Sequence, residues 1–156
     1  MDQADTVGRM AEAASNFLAG LDDAGREQVV IDFADSAERE NWHYIPRDRA
    51  GLPLKEMDGV QRELAHALVA TGVSEQGYEK VSTIIGLEPI LAGLEGEGRR
   101  FVRDPELYYV SVFGEPGGDA PWGWRFEGHH ISLNYTLVAG RMLGPTPLFF
   151  GSNPAE

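Results

Sequence analysis

The chain contains no cysteine among its 156 residues. Disulfides, thiolate metal sites, iron–sulfur ligation and a cysteine nucleophile are excluded together. The same absence suits the cytosol and the outside equally, so it assigns no compartment. Basic residues are scarce as well, 13 against 25 acidic ones, for a formal net charge of −12. Such a chain is repelled by nucleic acid and by anionic lipid at long range, which argues against either as a partner. Long hydrophobic runs are missing too. No stretch approaches the ~18 apolar residues of a membrane helix. The acidic start, Met1-Asp2-Gln3-Ala4-Asp5, has neither the basic residues nor the apolar run of a secretory signal. The expectation is a soluble, cytoplasmic protein with no nucleic-acid and no membrane partner.

What is present is the composition of a folded protein, 42% hydrophobic and 24% charged. A domain of this length buries roughly 68–70% of its unfolded surface and needs no staples. One domain over 1–156 is expected, with a helical half at about 5–95 and a strand half at about 107–150. Charge is concentrated in the first of these. From His129 onward only Arg141 and Glu156 are ionised in the usual sense.

Residues 5–19 carry Val7, Met10, Ala11, Ala14, Phe17 and Leu18 at steps of three and four, the stripe of an amphipathic helix. Asp5 is its expected N-cap and Gly20 its stop. A second helix over about 23–31 follows Asp22-Asp23. Residues 33–49 read as irregular, with one helical turn at about 36–41, an extended Trp42-His43-Tyr44-Ile45 and a Gly/Pro loop after it. Asp58 with Gln61 is a capping-box start. The helix it opens carries Val60, Leu64, Ala67 and Leu68 on one face, His66 on the opposite, solvated side, and ends at Gly72. Ser74 caps another helix, in which Pro89 predicts a break near Gly86 and a continuation to about Leu94.

The period then falls to two. Leu107–Phe113 is apolar on both faces, as a central strand would be. In 122–127 the side chains alternate, and in 129–138 Ile131, Leu133, Tyr135 and Leu137 oppose His130, Ser132, Asn134 and Thr136. A short strand at 147–150 follows. Helices first and strands last predict an α+β fold, N-terminal helices packed on a C-terminal, mainly antiparallel sheet. The chain stops just after an apolar strand. That predicts an incomplete protein, its sheet edge covered by a missing C-terminal half or by self-association through exposed strands.

His129 and His130 are the first candidates for chemistry, as acid–base groups and as ligands of a divalent metal ion. On a regular strand neighbours face opposite ways, so both reach one ion only if Gly128 makes a bulge. Glu127 is a further candidate catalytic group. Arg125 shares its face and could bind a carboxylate, though a surface salt bridge between the two is the plainer reading. Trp124 and Asn134, with Trp42 and His43 from the irregular segment, are candidate small-molecule ligand groups, against core packing for the tryptophans. Gly114 to Pro121 is glycine-rich but lacks a Gly-Lys-Ser/Thr ending, so it is no phosphate cradle.

The sequence resembles a family known as domain of unknown function 3500, as its N-terminal portion. The resemblance rests on Trp42-His43-Tyr44-Ile45-Pro46, Gly51-Leu52, Gln61-Arg62, Gly77-Tyr78-Glu79-Lys80, Ile84-Ile85-Gly86-Leu87-Glu88, Tyr108 to Gly117, Trp122 through Asn134 and Phe149 to Ala155. Gly128-His129-His130-x-Ser132-Leu133-Asn134 is its most specific run. The resemblance implies a longer protein with further histidines in a second half, and it implies no reaction. Two functional readings stand: part of a metal-assisted or acid–base enzyme using the His-His strand, or a non-catalytic ligand- or protein-binding module with structural histidines.

Overall fold

The computed structural model describes residues 2–98 and 100–154. Among these described residues, five α-helices and seven strands make an α+β fold. Helix α1 (Gln3–Ala19) is capped by Asp2 rather than Asp5, which lies in its first turn, and it ends at Gly20. Helix α2 (Asp23–Val29) runs directly into strand β1 (Val30–Ile31), so the helix expected to reach residue 31 gives up its last two residues to the sheet. After the short α3 (Ser36–Arg39) and strand β2 (Leu52–Pro53), the capping box of Asp58 and Gln61 opens α4 (Gly59–Gly72). Each cap side chain satisfies an N–H that the helix itself leaves free.

Helix α5 (Glu75–Glu95) continues through Pro89 without the expected break. Val81, Ile84, Glu88 and Leu91 are all buried, so tertiary packing holds the turns on both sides of the proline. The apolar face of α4 also differs from the expected one. Ala65, Leu68 and Val69 are buried, whereas Val60 is 65% exposed. The stripe is rotated by about one residue, and this brings His66 against the protein.

The strands are β3 (Tyr109–Phe113), β4 (Trp122–Gly128), β5 (Ile131–Val138), β6 (Arg141–Gly144) and β7 (Leu148–Phe150). The sheet is antiparallel except for β1, which lies parallel to β3. Short strands share each outer flank: β1 and β2 both pair with β3, and β6 and β7 both pair with β5. Strands β3, β4 and β5 are therefore central, and every residue of β3 and β4 is buried.

One face of that centre meets the helices. Val110, Val112, Trp122, Trp124, Phe126, Ile131, Leu133, Tyr135 and Leu137 join Met10, Ala14 and Phe17 of α1, Leu68 and Val69 of α4 and Val81 of α5 in one core. Each large side chain so buried contributes roughly 1.5–3 kcal/mol. The other face carries Ser111, Arg125, Glu127, Ser132 and Asn134, all buried as well. Segment 33–50, which has no long regular element of its own, lies over it.

Candidate functional site

The polar face is closed by ions. One carboxylate oxygen of Glu127 lies 3.3 Å from Arg49 Nε and 3.5 Å from Arg125 Nε. These three atoms meet no hydrogen-bond geometry, although each is within ion-pair distance of another. We describe them as a charge triad, because the Coulomb attraction depends on distance far more than on angle. The second Glu127 oxygen accepts from the backbone N–H of His43 (3.2 Å) and from the Ser132 hydroxyl (3.3 Å). Arg125 also pairs with Glu38 and donates to its carbonyl at 2.9 Å. Arg49 donates to the carbonyls of His43, Ile45 and Gly128. Arg125 and Glu127 are thus a buried pair and not the surface salt bridge expected from alternation. Residues 33–50 remove the water.

The histidine pair is arranged differently from a strand. Gly128 pairs with Ile131 in the ladder, so residues 129 and 130 form the two-residue turn of the β4–β5 hairpin. No bulge forms at Gly128. His130 takes a left-handed conformation at φ 60°, which histidine adopts more readily than most residues. The turn abolishes the alternation, and the two imidazole centroids come to 4.0 Å. His130 therefore does not share a polar stripe with Ser132 and Asn134. Its backbone N–H donates to Tyr44 O at 2.8 Å, and its carbonyl accepts from Gly151 N at 2.8 Å. Burial, then the neighbouring His129, lowers its pKa, so it is neutral around pH 7. Tyr108 anchors the turn by donating to His129 O at 2.9 Å.

His129 reaches a partner outside the strands. Its Nδ1 is bonded to the carboxylate of Glu88, a residue only 3% exposed in the middle of α5. A carboxylate can only accept, so Nδ1 carries a proton, and in the neutral ring Nε2 carries the lone pair. Arg103 Nη1 stands 3.4 Å from Nδ1 and 3.3 Å from Nε2. An in-plane atom equally close to both would collide with the carbon between them. Nη1 therefore lies off the plane of the ring, within hydrogen-bond distance of Nε2. Arg103 is itself fixed by two bonds to Glu95, at 2.9 and 2.7 Å.

His129 and Glu88 form part of the wall of a cavity of about 280 Å³. Pro46 to Arg49, Arg100 to Val102, Asp104 and Leu107 complete it. A second cavity, about 250 Å³, lies on the polar face and includes Trp42, Trp124 and Asn134. The Trp124 ring stacks on Tyr135 at 4.4 Å and belongs to the helical core. The candidate residues thus fall in three places: His129 in the first cavity, Trp42 and Asn134 in the second, and Arg125 and Glu127 in the ion layer. His43 bonds to Asn41 at 3.0 Å. Among the described residues no group of three or more His, Asp or Glu side chains is placed to hold a metal ion.

Glu88 was not a candidate from sequence, yet it carried a signal. It sits on the stripe Val81-Ile84-Glu88-Leu91 at helical spacing, a lone carboxylate among buried apolar residues. Arg103 gave no such sign, because it comes from a loop without periodicity.

An α+β domain with a buried carboxylate–imidazole pair on a cavity wall is the class that fold and site define. The chain belongs to the family described as a protein of unknown function (DUF3500), whose profile matches residues 3–156. No curated protein and no solved structure matches it. Among the described residues no helix is long and apolar enough to cross a membrane.

Proposed function

We propose that the domain carries an acid–base site in which His129 Nε2 takes a proton from a small molecule bound in the first cavity. One observation carries this: Glu88, buried and bonded to Nδ1, fixes the tautomer whose Nε2 is a base. A carboxylate in that place also stabilises the imidazolium once the proton arrives. Arg103 Nη1 stands beside the ring, off its plane and 3.3 Å from Nε2. Glu127, first considered as the acid or base, has both oxygens engaged by the layer under residues 33–50. It holds the cavity wall through Arg49 instead.

Imidazole ¹⁵N spectra test the assignment without a known substrate. In its neutral form His129 should show a protonated Nδ1 and a bare Nε2. An Nε2–H tautomer would leave no base and end the proposal. A screen of esters, phosphate monoesters and carbon acids supplies the second arm. Any turnover found should drop roughly 10²–10⁴-fold in His129→Gln with melting unchanged. Turnover that survives this change favours the non-catalytic reading of the histidines.

A further inference from the structure

The hydrogen-bonding capacity of the first cavity is unbalanced, and the imbalance defines what it can hold. Of its carboxylates, Glu88 is committed to His129, and Asp104 accepts from Lys55 Nζ at 2.6 Å. Of its cations, Arg49 is spent on Glu127 and on backbone carbonyls. Arg47 uses only Nε, on the Asp48 carbonyl at 3.2 Å, and its two terminal nitrogens have no partner among the described residues. Arg100 has no hydrogen bond or ion pair there either, and lies with its guanidinium 5.1 Å from the Phe101 ring centre. Among the described lining residues, two guanidinium heads with free donors therefore stand against one uncommitted acceptor side chain, Asp48. This occurs in a protein with a formal charge of −12, where exposed arginines without carboxylate partners are not the default. Pro46, Phe101, Val102 and Leu107 supply apolar wall between them.

We infer that the cavity binds a small oxyanion, a carboxylate or phosphate group on a compact apolar body, through Arg47 and Arg100. Guanidinium presents paired N–H groups at the spacing of two oxygens of such a group, and its charge favours an anion over a neutral or cationic ligand. The inference takes its location from the acid–base proposal and names the ligand class of that site. An anion seated on the two arginines would place its body along the apolar wall, beside His129.

Titration of the whole chain with inorganic phosphate and, separately, with succinate, followed by amide NMR at constant ionic strength, tests this. Saturable shifts are expected at Asp48, Phe101, Val102 and His129 with at least one of the two anions. Arg47→Gln with Arg100→Gln should weaken that binding at least about tenfold, the loss expected when charge-assisted bonds are removed. Arg26→Gln, on α2, should leave it unchanged. His129→Gln should still bind the anion, so a failed proton-transfer role and a failed anion site give different results. Absence of saturable shifts with both anions overturns the inference, as does binding that persists in the double arginine variant. Equal shifts with tetramethylammonium also overturn it.

Discussion

The two faces of the central sheet are buried to the same degree by opposite chemistry. Toward the helices, Trp122, Trp124, Phe126, Leu133 and Leu137 exclude water with hydrocarbon. Toward residues 33–50, Arg125, Glu127, Ser132 and Asn134 are equally hidden, and the cover is held by ions and backbone carbonyls. The apolar face gains from burial itself and tolerates small shifts of partner. The ionic face has already lost the hydration of its charges, so its members depend on one another. Segment 33–50 has few regular backbone bonds, and its position rests on Arg49, Arg125 and Glu127. Because Pro46 to Arg49 line the first cavity, the ionic layer also shapes the proposed site.

Removing Glu127 should give the largest effect and breaks the comparison if it does not. Glu127→Ala leaves two buried guanidinium groups without their shared counter-charge, a loss of about 3–5 kcal/mol in denaturant unfolding. Phe126→Ala, its neighbour on the apolar face, should cost a similar ~3–5 kcal/mol through the cavity it leaves. The two differ in where they loosen the protein. In Glu127→Ala, trypsin should cut after Arg47 and Arg49 under native conditions, and in Phe126→Ala it should not. Equal cleavage in both variants would mean that the ions do not hold the segment.

Gly128 sharpens the same contrast at the point where the faces meet. A Cβ there would enter the ring of Tyr108, whose hydroxyl anchors the turn. Gly128→Ala should cost about 1–3 kcal/mol, the range of an overpacked core. It should also shift the ¹⁵N signals of His129 by moving the ring relative to Glu88. Unchanged imidazole signals together with normal stability would show that the turn adapts freely.

The apolar face was the legible one. Period-two alternation placed β4 and most of β5, and the caps at Asp58, Gln61 and Ser74 placed the starts of α4 and α5, while Gly72 is the last residue of α4 and Val73 its cap. Two-residue strands such as β1 and β2 carry no period, and only the edge of β3 turns those residues into sheet. Arg125 and Glu127 have the pattern of solvent-facing residues, and nothing local announces the segment that covers them. The histidine pair was found, but its geometry was not, because a two-residue turn cannot be told from the end of a strand by alternation. Glu88 enters the site only through contact with a residue 41 positions away.

Two histidines outside the dyad give the smallest predicted effect, one on each side of the comparison. His66 donates to or accepts from the Tyr78 hydroxyl at 3.0 Å and faces the Phe126 ring, and burial alone lowers its pKa. For His130 burial is the first cause, and His129 and Arg103 add to it against the opposing pull of Glu88. In both cases the folded state binds fewer protons than the unfolded one. Stability therefore rises with pH through this range, and it is lost as pH falls through the unfolded value of about 6.5. A drop in melting temperature on acidification is expected, and His66→Gln should make it smaller while keeping a hydrogen-bonding group for Tyr78. The part that remains belongs largely to His130, where charges contribute, so added salt should alter it. Salt should leave the His66 part alone, because desolvation involves no partner charge to screen. Melting that is flat from about pH 7.5 to 5.5 would show that both rings take up protons in the folded protein as readily as in the unfolded one, and a slope untouched by His66→Gln would show the same of His66.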